Sequence, residues 1–472
     1  MENDFTLSSP TLPRHTGAGN AGAERAAKST MTSRDFAWHR MDSDKNLMVI
    51  NSILLFEGPV DMDKLISTVE HRLPNYPRFT QKVATRLGRP RWVEDARFNI
   101  AAHFHLETME REVSRHELQD TLAAMAPRPL DPARPLWHIT VIDKVAGGHA
   151  IVFRLHHCIT DGLGLVHVLN HLTDDNDSHG KVPSPSGHPH RGQPTCRSKL
   201  SFLCVALSWL KIGLHVTRLA LLPPDAKTAL KTPLTGAKKL VWLPPLQLER
   251  VKAMAKRSQA TINDVWVAAV AGALRAYLSE QGEQLDGRAL RAAVTFNLRE
   301  KADAFRLGNE FGLVAVDLPT NIDDPLQRLR QTSARMTAIK RSHQPHATMA
   351  FLSIAGSLPR PLQRFALNLF TSKGSVVLTN IEGPVKHRYL AGAKMTELIC
   401  WVPQAGVIGT GFAFISYAGQ IQLGLYVDTR MVARPERLMA LTYEAFANLE
   451  RATGGAGAAS ADAPALVRAG AA

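Results

Sequence analysis

The spacing of apolar and polar positions predicts strands and helices in both halves of the chain. Alternating or continuous apolar runs predict strands in the first half at 47–58, 136–143 and 149–157, with an amphipathic helix at 61–73. In the second half the same criteria predict, in chain order, helices at 245–258 and 261–282, strands at 288–299, 311–319 and 376–385, and a hairpin at 409–428 that turns at Ala418–Gly419. This mixture indicates an α/β or α+β fold.

Three stretches without apolar periodicity divide the chain. Residues 1–33 and 452–472 are rich in small and polar residues, which predicts disordered ends. Pro, Gly, Ser and charged residues dominate after residue 173, so an interdomain linker that includes an apolar helix is expected at 174–235. The two folded halves are then expected at 34–173 and 236–451.

The most apolar window, Leu200 to Pro224, is not a convincing transmembrane span. Lys211, His215 and Arg218 interrupt it at intervals that are costly at the centre of a bilayer. Its apolar residues suit either an amphipathic helix lying in a membrane interface or a helix packed on its own protein.

Length and composition agree with two domains. The chain has 472 residues, more than the roughly 250 to 300 at which a single core stops growing. Apolar residues make up 45% and charged residues 21%, which is the balance of a folded globular protein.

The net charge limits the expected classes of binding partner, and the cysteine pattern indicates the cellular compartment. A formal net charge of +14 favours nucleic acid, a phospholipid surface or a phosphate-rich substrate such as coenzyme A. The sequence lacks zinc-ligand spacing, an aromatic RNA-binding signature and a basic helix, so nucleic acid is not expected. Four cysteines without a C-x-x-C pair and an N-terminus without an apolar signal-peptide core predict a cytoplasmic protein.

Two adjacent histidines end the predicted strand at 149–157. Side chains two apart share a face of a strand, so His156 lies on the face of Arg154 and His157 continues a wholly apolar face. Partial desolvation there would lower the pKa of His157 from about 6.5 and keep it neutral as a base.

Other interpretations of this stretch stay open on the residues alone. A satisfied core histidine is the main alternative to a catalytic base. A metal site is not expected, because the two histidines point to opposite faces and no further ligand spacing lies nearby. Cys158 is a weaker candidate nucleophile, since it neighbours the histidine in sequence and does not face it across a fold.

Three further segments carry polar residues with two interpretations each. Asp161, followed by Gly162, would cap the next helix or pair with an arginine. Asn263 and Asp264 begin the helix at 261–282, where Asp264 is spaced to form a capping box. The strand end at Thr379 and Asn380 would present a hydroxyl or amide to an oxyanion, or would be a plain turn.

The motif His156–Gly162, HHxxxDG, resembles the signature of the coenzyme-A-dependent acyltransferase superfamily. The segments RPLW at 134–137, TINDVWVAAVAGALR at 261–275, TFNLRE at 295–300, LGNEFG at 307–312, LTNIEGP at 378–384 and SYAGQIQLGLYVD at 416–428 resemble, in order, those of bacterial wax ester synthase/diacylglycerol acyltransferases. His156 with Asp161 also fits the HxxxxD pattern of glycerol-phosphate acyltransferases, but the Phe-Pro-Glu-Gly segment of that family is absent from the sequence.

The resemblance implies two chloramphenicol-acetyltransferase-like domains with the active-site tunnel between them. It implies His157 as the general base within a catalytic motif that also holds His156 and Asp161, with Arg299 as the structural partner of Asp161. Pro135 and Trp137 of the RPLW motif are expected to be structural. The implied substrate-binding residues are Gly162, Asn263, Asp264, Thr379 and Asn380.

The implied reaction is the transfer of a long-chain acyl group from acyl-CoA to diacylglycerol or a long-chain alcohol. Acyl-CoA is the co-substrate, and neither a cofactor nor a metal is implied. The family's Ser-Asn-Val-Pro-Gly-Pro motif here has Thr379 for serine, which keeps the hydroxyl, and Glu382 for proline, which changes loop stiffness and charge and leaves the acceptor preference open. Peripheral association with the inner membrane or lipid droplets is expected. The alternatives are another alcohol acceptor, or a non-catalytic lipid-binding protein of the same fold.

Overall fold

The computed structural model describes residues 29–86, 89–175, 217, 221–283, 287, 289–299 and 307–454. The predicted disordered ends and most of the predicted linker, including nearly all of its apolar helix, lie outside these ranges. Within them, no helix combines the length and the apolar character that crossing a bilayer requires.

Six strands form the sheet of the first half. Their spatial order is β13–β14–β2–β7–β6–β5, and all pairs are antiparallel except the β5–β6 pair. In chain order they are β2 (Val49–Glu57), β5 (Phe104–Glu107), β6 (Trp137–Val145), β7 (Gly148–His156), β13 (Tyr389–Leu390) and β14 (Ala393–Trp401). Central β7 is buried on both faces, which explains its continuous apolar run.

Seven strands form the sheet of the second half, in the order β11–β10–β12–β15–β16–β8 with β9 also on β16. In chain order they are β8 (Lys238–Val241), β9 (Leu246–Gln247), β10 (Leu290–Asn297), β11 (Phe311–Leu318), β12 (Val376–Glu382), β15 (Thr410–Tyr417) and β16 (Gln420–Asp428). The predicted hairpin is confirmed: β15 and β16 pair antiparallel, and positive φ angles of 46° at Ala418 and 79° at Gly419 form its turn.

A small third sheet corrects the predicted start of the folded region. Strand β1 (Ser29–Thr30) pairs with β4 (Arg89–Glu94), which also pairs with β3 (Gln81–Arg86). Met31 is buried, so order begins before the predicted boundary at residue 33. Strand β1 is short and has no apolar periodicity, so the sequence offers no pattern from which to predict it.

Ten described helices pack on these sheets. They are α1 (Ser33–Arg40), α2 (Met62–Arg72), α3 (Arg115–Met125), α4 (Gly162–Leu172), α5 (Leu248–Arg257), α6 (Ile262–Glu280), α7 (Pro325–Lys340), α8 (Gln344–Ser357), α9 (Arg360–Thr371) and α10 (Pro435–Ala452). The predicted capping box of α6 is present, and most of the apolar residues of this helix are buried in the core of the second half.

The two halves exchange structure, so the predicted division at 236–451 is not a clean boundary. Strands β13 and β14 belong by sequence to the second half but extend the first sheet, where β14 pairs with β2 along its length. Without β14, the edge of β2 would present unpaired backbone groups. Trp242 and Trp401 pack edge to face at 5.4 Å in a core cluster that includes residues from both halves.

Candidate active site

A cavity of about 110 Å³ lies between the two sheets and is lined by residues from both halves. Trp38 and His157 contribute from the first half, and Thr295 and Phe311 contribute from the second. Residues 400–403 and 405, at and after the end of β14, complete the wall. The exchange of β14 therefore helps to shape the cavity.

His157 follows directly after β7, and its imidazole faces this cavity. Its backbone N–H donates to the carbonyl of Met48 at 2.7 Å, which holds the chain in register beyond the end of the strand. The ring stacks on Trp38 with centroids 4.3 Å apart and contacts Phe311 at 5.5 Å. Only 6% of the residue is exposed, and burial lowers the pKa of His157 below its ordinary 6.5. The sequence-based placement of His157 on the buried apolar side agrees with this environment.

A buried amide fixes the tautomer of His157. Asn309 Nδ2 donates to Asp35 Oδ1 at 2.8 Å and to the carbonyl of His157 at 2.9 Å, so its Oδ1 must be the acceptor that faces the imidazole. That oxygen lies 2.7 Å from His157 Nδ1, which therefore carries the proton. The lone pair of Nε2 is left for the cavity, as a general base requires.

Asp35 is itself held by a cation. Arg78 forms an ion pair with Asp35 at 3.0 Å and donates to the carbonyl of Ile159 at 2.7 Å, so it joins α1 to the turn that follows His157. Sequence reasoning missed Asp35, Arg78 and Asn309 as functional residues. The one available signal was the LGNEFG segment, which contains Asn309 but suggests no role for it.

His156 points away from the cavity, into a separate polar cluster. Its Nε2 lies 3.2 Å from Asp42 Oδ2, and its Nδ1 accepts the backbone N–H of Cys158 at 3.1 Å. Both ring nitrogens are therefore occupied, and His156 is not among the residues that line the cavity. The structure does not bring this predicted catalytic residue to the site.

The same cluster is the candidate metal group of the described residues. Ligand atoms of His39, His156 and Cys158 lie within 4.8 Å of one another. Because His156 already uses both nitrogens, it has none left to bind an ion. Burial and the neighbouring His156 lower the pKa of His39 to about 4, so its ring is neutral at physiological pH.

Of the cysteines that the structure describes, neither Cys158 nor Cys400 is suited to nucleophilic catalysis. Cys158 does not line the cavity. Cys400 does, but burial raises the pKa of its thiol to about 12, so the thiolate is scarce near neutral pH.

Asp161 performs both of the roles that the sequence left open. Its Oδ1 accepts the N–H of Gly164 at 2.9 Å and caps α4, while its Oδ2 accepts from Arg299 at 2.8 Å and from the N–H of Glu310 at 3.0 Å. The predicted pairing with Arg299 is thus present in the structure. Through Glu310 it also anchors the segment that carries Asn309.

Gly162 lies on the cavity wall where α4 passes close to β12. A β-carbon at this position would approach the Cδ1 atom of Ile381 to 2.7 Å, so a larger residue would make the end of the Ile381 side chain shift. The predicted site glycine therefore leaves room for Ile381 at the cavity wall.

Thr379 and Asn380 both reach the cavity, as expected from the sequence. The hydroxyl of Thr379 lies 2.9 Å from that of Thr295 on the neighbouring strand β10. One hydroxyl donates to the other, so the accepting hydroxyl keeps its own hydrogen for another partner. Asn297 lines the same wall, and neither Thr295 nor Asn297 was assigned a role from the sequence.

Asn263 and Asp264 are not brought to the cavity wall. Asp264 Oδ2 accepts the N–H of Thr261 at 2.9 Å and the hydroxyl of Ser333 at 3.0 Å, which fixes the start of α6 against α7. The capping interpretation therefore accounts for Asp264. A role of either residue in substrate binding stays a prediction.

The RPLW segment lies beside the C-terminal end of β7, where Trp137 pairs with Leu155. The Trp137 N–H donates to the carbonyl of Pro135 at 2.9 Å, and its indole N–H donates to Phe79 at 2.8 Å. His103 stacks on the indole ring with centroids 4.2 Å apart. These contacts suit the predicted structural role of Pro135 and Trp137.

Comparisons with known proteins identify the family. The family model for the wax ester synthase/diacylglycerol acyltransferase catalytic domain matches residues 31–212, and that for the WS/DGAT C-terminal domain matches residues 307–450. The chain belongs to the wax ester synthase/diacylglycerol acyltransferase family. It is therefore an acyltransferase, and the resemblance found in its motifs is confirmed.

Two relatives of this WS/DGAT family member come from Mycobacterium tuberculosis H37Rv. The probable diacylglycerol O-acyltransferase tgs1 is 28% identical, over 86% of this chain and 92% of its own length. The probable diacylglycerol O-acyltransferase tgs2 is 25% identical, over 90% of this chain and 99% of its own length.

Solved structures confirm the predicted architecture. The wax ester synthase/diacylglycerol acyltransferase from Marinobacter aquaeolei VT8 has a TM-score of 0.67 at 21% identity, over 90% of this chain and 100% of its own. The first condensation domain of the calcium-dependent antibiotic synthetase has a TM-score of 0.61 at 14% identity, over 92% and 98%. At these identities the likeness concerns the fold alone.

Proposed function

We propose that this WS/DGAT family member transfers a long-chain acyl group from acyl-CoA to diacylglycerol, to a long-chain alcohol, or to both, with His157 as the general base. The observation that carries the proposal is a neutral, desolvated imidazole whose Nδ1 is occupied and whose Nε2 is left for a cavity between the two halves.

In the proposed reaction, His157 Nε2 takes the proton of the acceptor hydroxyl as its oxygen attacks the thioester carbonyl carbon. The bond from that carbon to sulfur then breaks, and the proton passes from His157 to the departing coenzyme A thiolate. The ester oxygen comes from the acceptor, so no covalent acyl-enzyme forms. Base catalysis of this kind contributes about a hundred- to ten-thousand-fold.

We assign the developing oxyanion to the cavity wall that carries the hydroxyl pair of Thr295 and Thr379. This pair has one hydrogen to give, and Asn297 and Asn380 are also among the residues that line the cavity. Donors held in place before the reaction stabilise charge without reorganisation, which favours this wall for the role.

The proposed chemistry needs acyl-CoA as a co-substrate and neither a metal nor an organic cofactor. The net charge of +14 suits the phosphates of coenzyme A and an anionic lipid surface. We place the protein at the periphery of the inner membrane or of lipid droplets, where diacylglycerol and long-chain alcohols partition.

The test combines purified protein with palmitoyl-CoA and either hexadecanol or diacylglycerol, and separates the lipid products by class. Wax ester, triacylglycerol or both should form and persist after treatment with a chelator. His157→Ala should reduce the rate by about a hundredfold or more, because the base is lost. Exposed His71 offers a matched control, and His71→Ala should leave the rate unchanged.

The outcomes separate the competing functions. Bound palmitoyl-CoA without turnover would indicate a lipid-binding protein, and turnover only with another alcohol would redefine the acceptor. A folded His157→Ala variant with near-normal rates would remove the assignment of the base.

A further inference from the structure

Exposed apolar side chains concentrate on one part of the surface. The described residues include nine exposed large hydrophobic side chains, of which four lie on α8 and α9: Ile354, Leu362, Phe365 and Leu369, with Phe365 69% exposed. Scattered apolar residues are normal on protein surfaces, whereas a concentration marks a contact region. We call these four residues the α8–α9 ridge.

The ridge is continuous across the two helices. Leu362, Phe365 and Leu369 follow i, i+3, i+7 spacing and form one outward stripe of α9. Phe370 of α9 stacks on Phe351 of α8 with centroids 5.3 Å apart, and Ile354 lies three residues further along α8. Two more exposed apolar residues, Leu221 and Val407, adjoin the C-terminal end of α9. Lys373 Nζ donates to the carbonyl of Leu222, which follows Leu221, and the N–H of Val407 donates to Thr371 Oγ1.

The opposite face of α9 contacts two segments that carry lining residues of the cavity. Gln363 donates to the carbonyl of Ala37 on α1 at 3.3 Å, next to Trp38, which stacks on His157. At the other end, Thr371 Oγ1 accepts the N–H of Val407 at 3.3 Å, in the loop whose residue Ala405 lines the cavity. A membrane that docks on the ridge would thus lie on the outer side of a helix that packs against these two segments.

The charge around the ridge is cationic. The sequence contains no Asp or Glu between Asp324 and Glu382, which spans both helices. Arg360 and Arg364 are exposed beside Leu362 and Phe365, and neither has an acidic partner among the described residues. Arg40 lies near enough to Arg360 for their charges to repel each other. Exposed apolar residues flanked by cations characterise helices that lie in the interface of anionic membranes.

We propose that the α8–α9 ridge docks on the surface of an anionic phospholipid bilayer, with Leu362, Phe365 and Leu369 inserted and Arg360 and Arg364 at the headgroups. The purpose of this docking, delivery of a lipid acceptor to the adjacent cavity, rests on the proposed function. The docking itself does not depend on turnover and is measured separately from it.

The experiment is flotation of the full-length protein with phosphatidylcholine vesicles, prepared with and without phosphatidylglycerol. The wild-type protein should float with the anionic vesicles. A Leu362→Ser/Phe365→Ser/Leu369→Ser variant should bind them at least tenfold more weakly. Arg360→Gln/Arg364→Gln should lose the preference for anionic over neutral vesicles, and added salt should mimic that loss.

The matched control is Leu106→Ser/Val385→Ser, which removes comparably exposed apolar side chains away from the ridge and should bind like the wild type. Equal melting temperatures would show that all variants fold. The proposal would be overturned if the wild-type protein does not bind anionic vesicles, or if the Leu362→Ser/Phe365→Ser/Leu369→Ser variant floats like the wild type.

Two other occupants of the ridge have distinct signatures, and either would overturn the proposal. If a second copy covers it, the wild-type protein is a dimer that the serine variant converts to a monomer, without loss of vesicle binding. If residues 200–216 of the chain cover it, vesicle binding appears only after their deletion. Absence of acyl transfer in detergent-dispersed substrate, with ridge-dependent flotation intact, would instead contradict the proposed function and leave the docking in place.

Discussion

The properties that the proposed mechanism requires of His157 come from three neighbours. Trp38 and Phe311 enclose the ring and lower its pKa by excluding water, and Asn309 accepts from Nδ1 so that the lone pair lies on Nε2. Enclosure sets the charge of the imidazole, and the hydrogen bond sets its tautomer. Both conditions are present in the protein before substrate binds.

The lowered pKa of His157 predicts the pH dependence of the reaction. A folded-state pKa below 6.5 keeps the imidazole neutral at higher pH, and protonation removes the base only as the pH falls through that lowered value. We expect kcat/KM to be level from about pH 6.5 upward and to decline only below it. Rates measured across pH with palmitoyl-CoA provide the test. A decline that begins above pH 7 would contradict the effect of burial.

Asn309 is predicted to be a positioning residue. Asn309→Leu keeps the approximate volume but leaves Nδ1–H without its amide acceptor, so both nitrogens would compete for the proton. We expect kcat to fall by roughly tenfold or more, a part of the total contribution of base catalysis, with little change in KM for acyl-CoA. Steady-state kinetics separate the two constants. Asn75→Leu is the control, since its exposed amide bonds only the backbone of α2. A change in KM or in stability alone would indicate a merely structural role.

At the scale of elements, the start of α4 is the junction that joins the two halves at the site. The carboxylate of Asp161 caps α4 in the first half and binds Arg299 and the backbone of Glu310 in the second. The side chains of Asp161 and Arg299 are 7% and 4% exposed, so this is a buried ion pair. Removal of one partner would leave the other charge buried without a counter-charge.

Asp161→Asn tests this junction. Asparagine can still cap α4, but it carries no charge to balance Arg299. We expect the free energy of unfolding to fall by about 3 kcal/mol, and activity to fall because the Asn309 segment loses its anchor. Chemical denaturation measures the first effect. Asp61→Asn is the matched control: Asp61 caps the exposed start of α2, where asparagine caps equally well and the ion pair with Lys64 is solvated. Equal losses in both variants would refute the role of the buried pair.

At the scale of the whole molecule, the exchange of β13 and β14 ties the halves into one structure. Strand β14 continues the first sheet beside β2, and the chain returns to the second sheet as β15. Arg115 of α3 pairs with Glu397 of β14 at 2.7 Å, a further link between distant parts of the sequence. The cavity lies at this shared boundary, so its shape depends on both halves being folded together.

This arrangement predicts cooperative unfolding. Loss of the second half would remove β14 and expose the edge of β2, so neither half should persist alone. Calorimetry should show one transition with equal calorimetric and van't Hoff enthalpies, despite the size of the chain. Two separate transitions would show that the halves are independent domains.

The sequence by itself determined the local elements and singled out the residue that we propose as the base. Burial repeats every two residues in a strand and every three to four in a helix, so spacing alone predicted β2, β7, α2 and α6 within a few residues. The same alternation separated His157 from His156 without any knowledge of distant contacts. The motifs supplied the family, the pairing of Asp161 with Arg299, and the presence of Thr379 at the site.

Tertiary structure alone decided the remaining features. Asn309 lies 152 residues from His157 and 274 from Asp35, and the exchange of β14 joins strands more than 300 residues apart. Contacts at such separations leave no periodic trace in the sequence, because they depend on how the sheets pack. For the same reason the sequence placed Asn263 and Asp264 at the tunnel, whereas packing of α6 against α7 holds Asp264 in a cap away from the cavity wall.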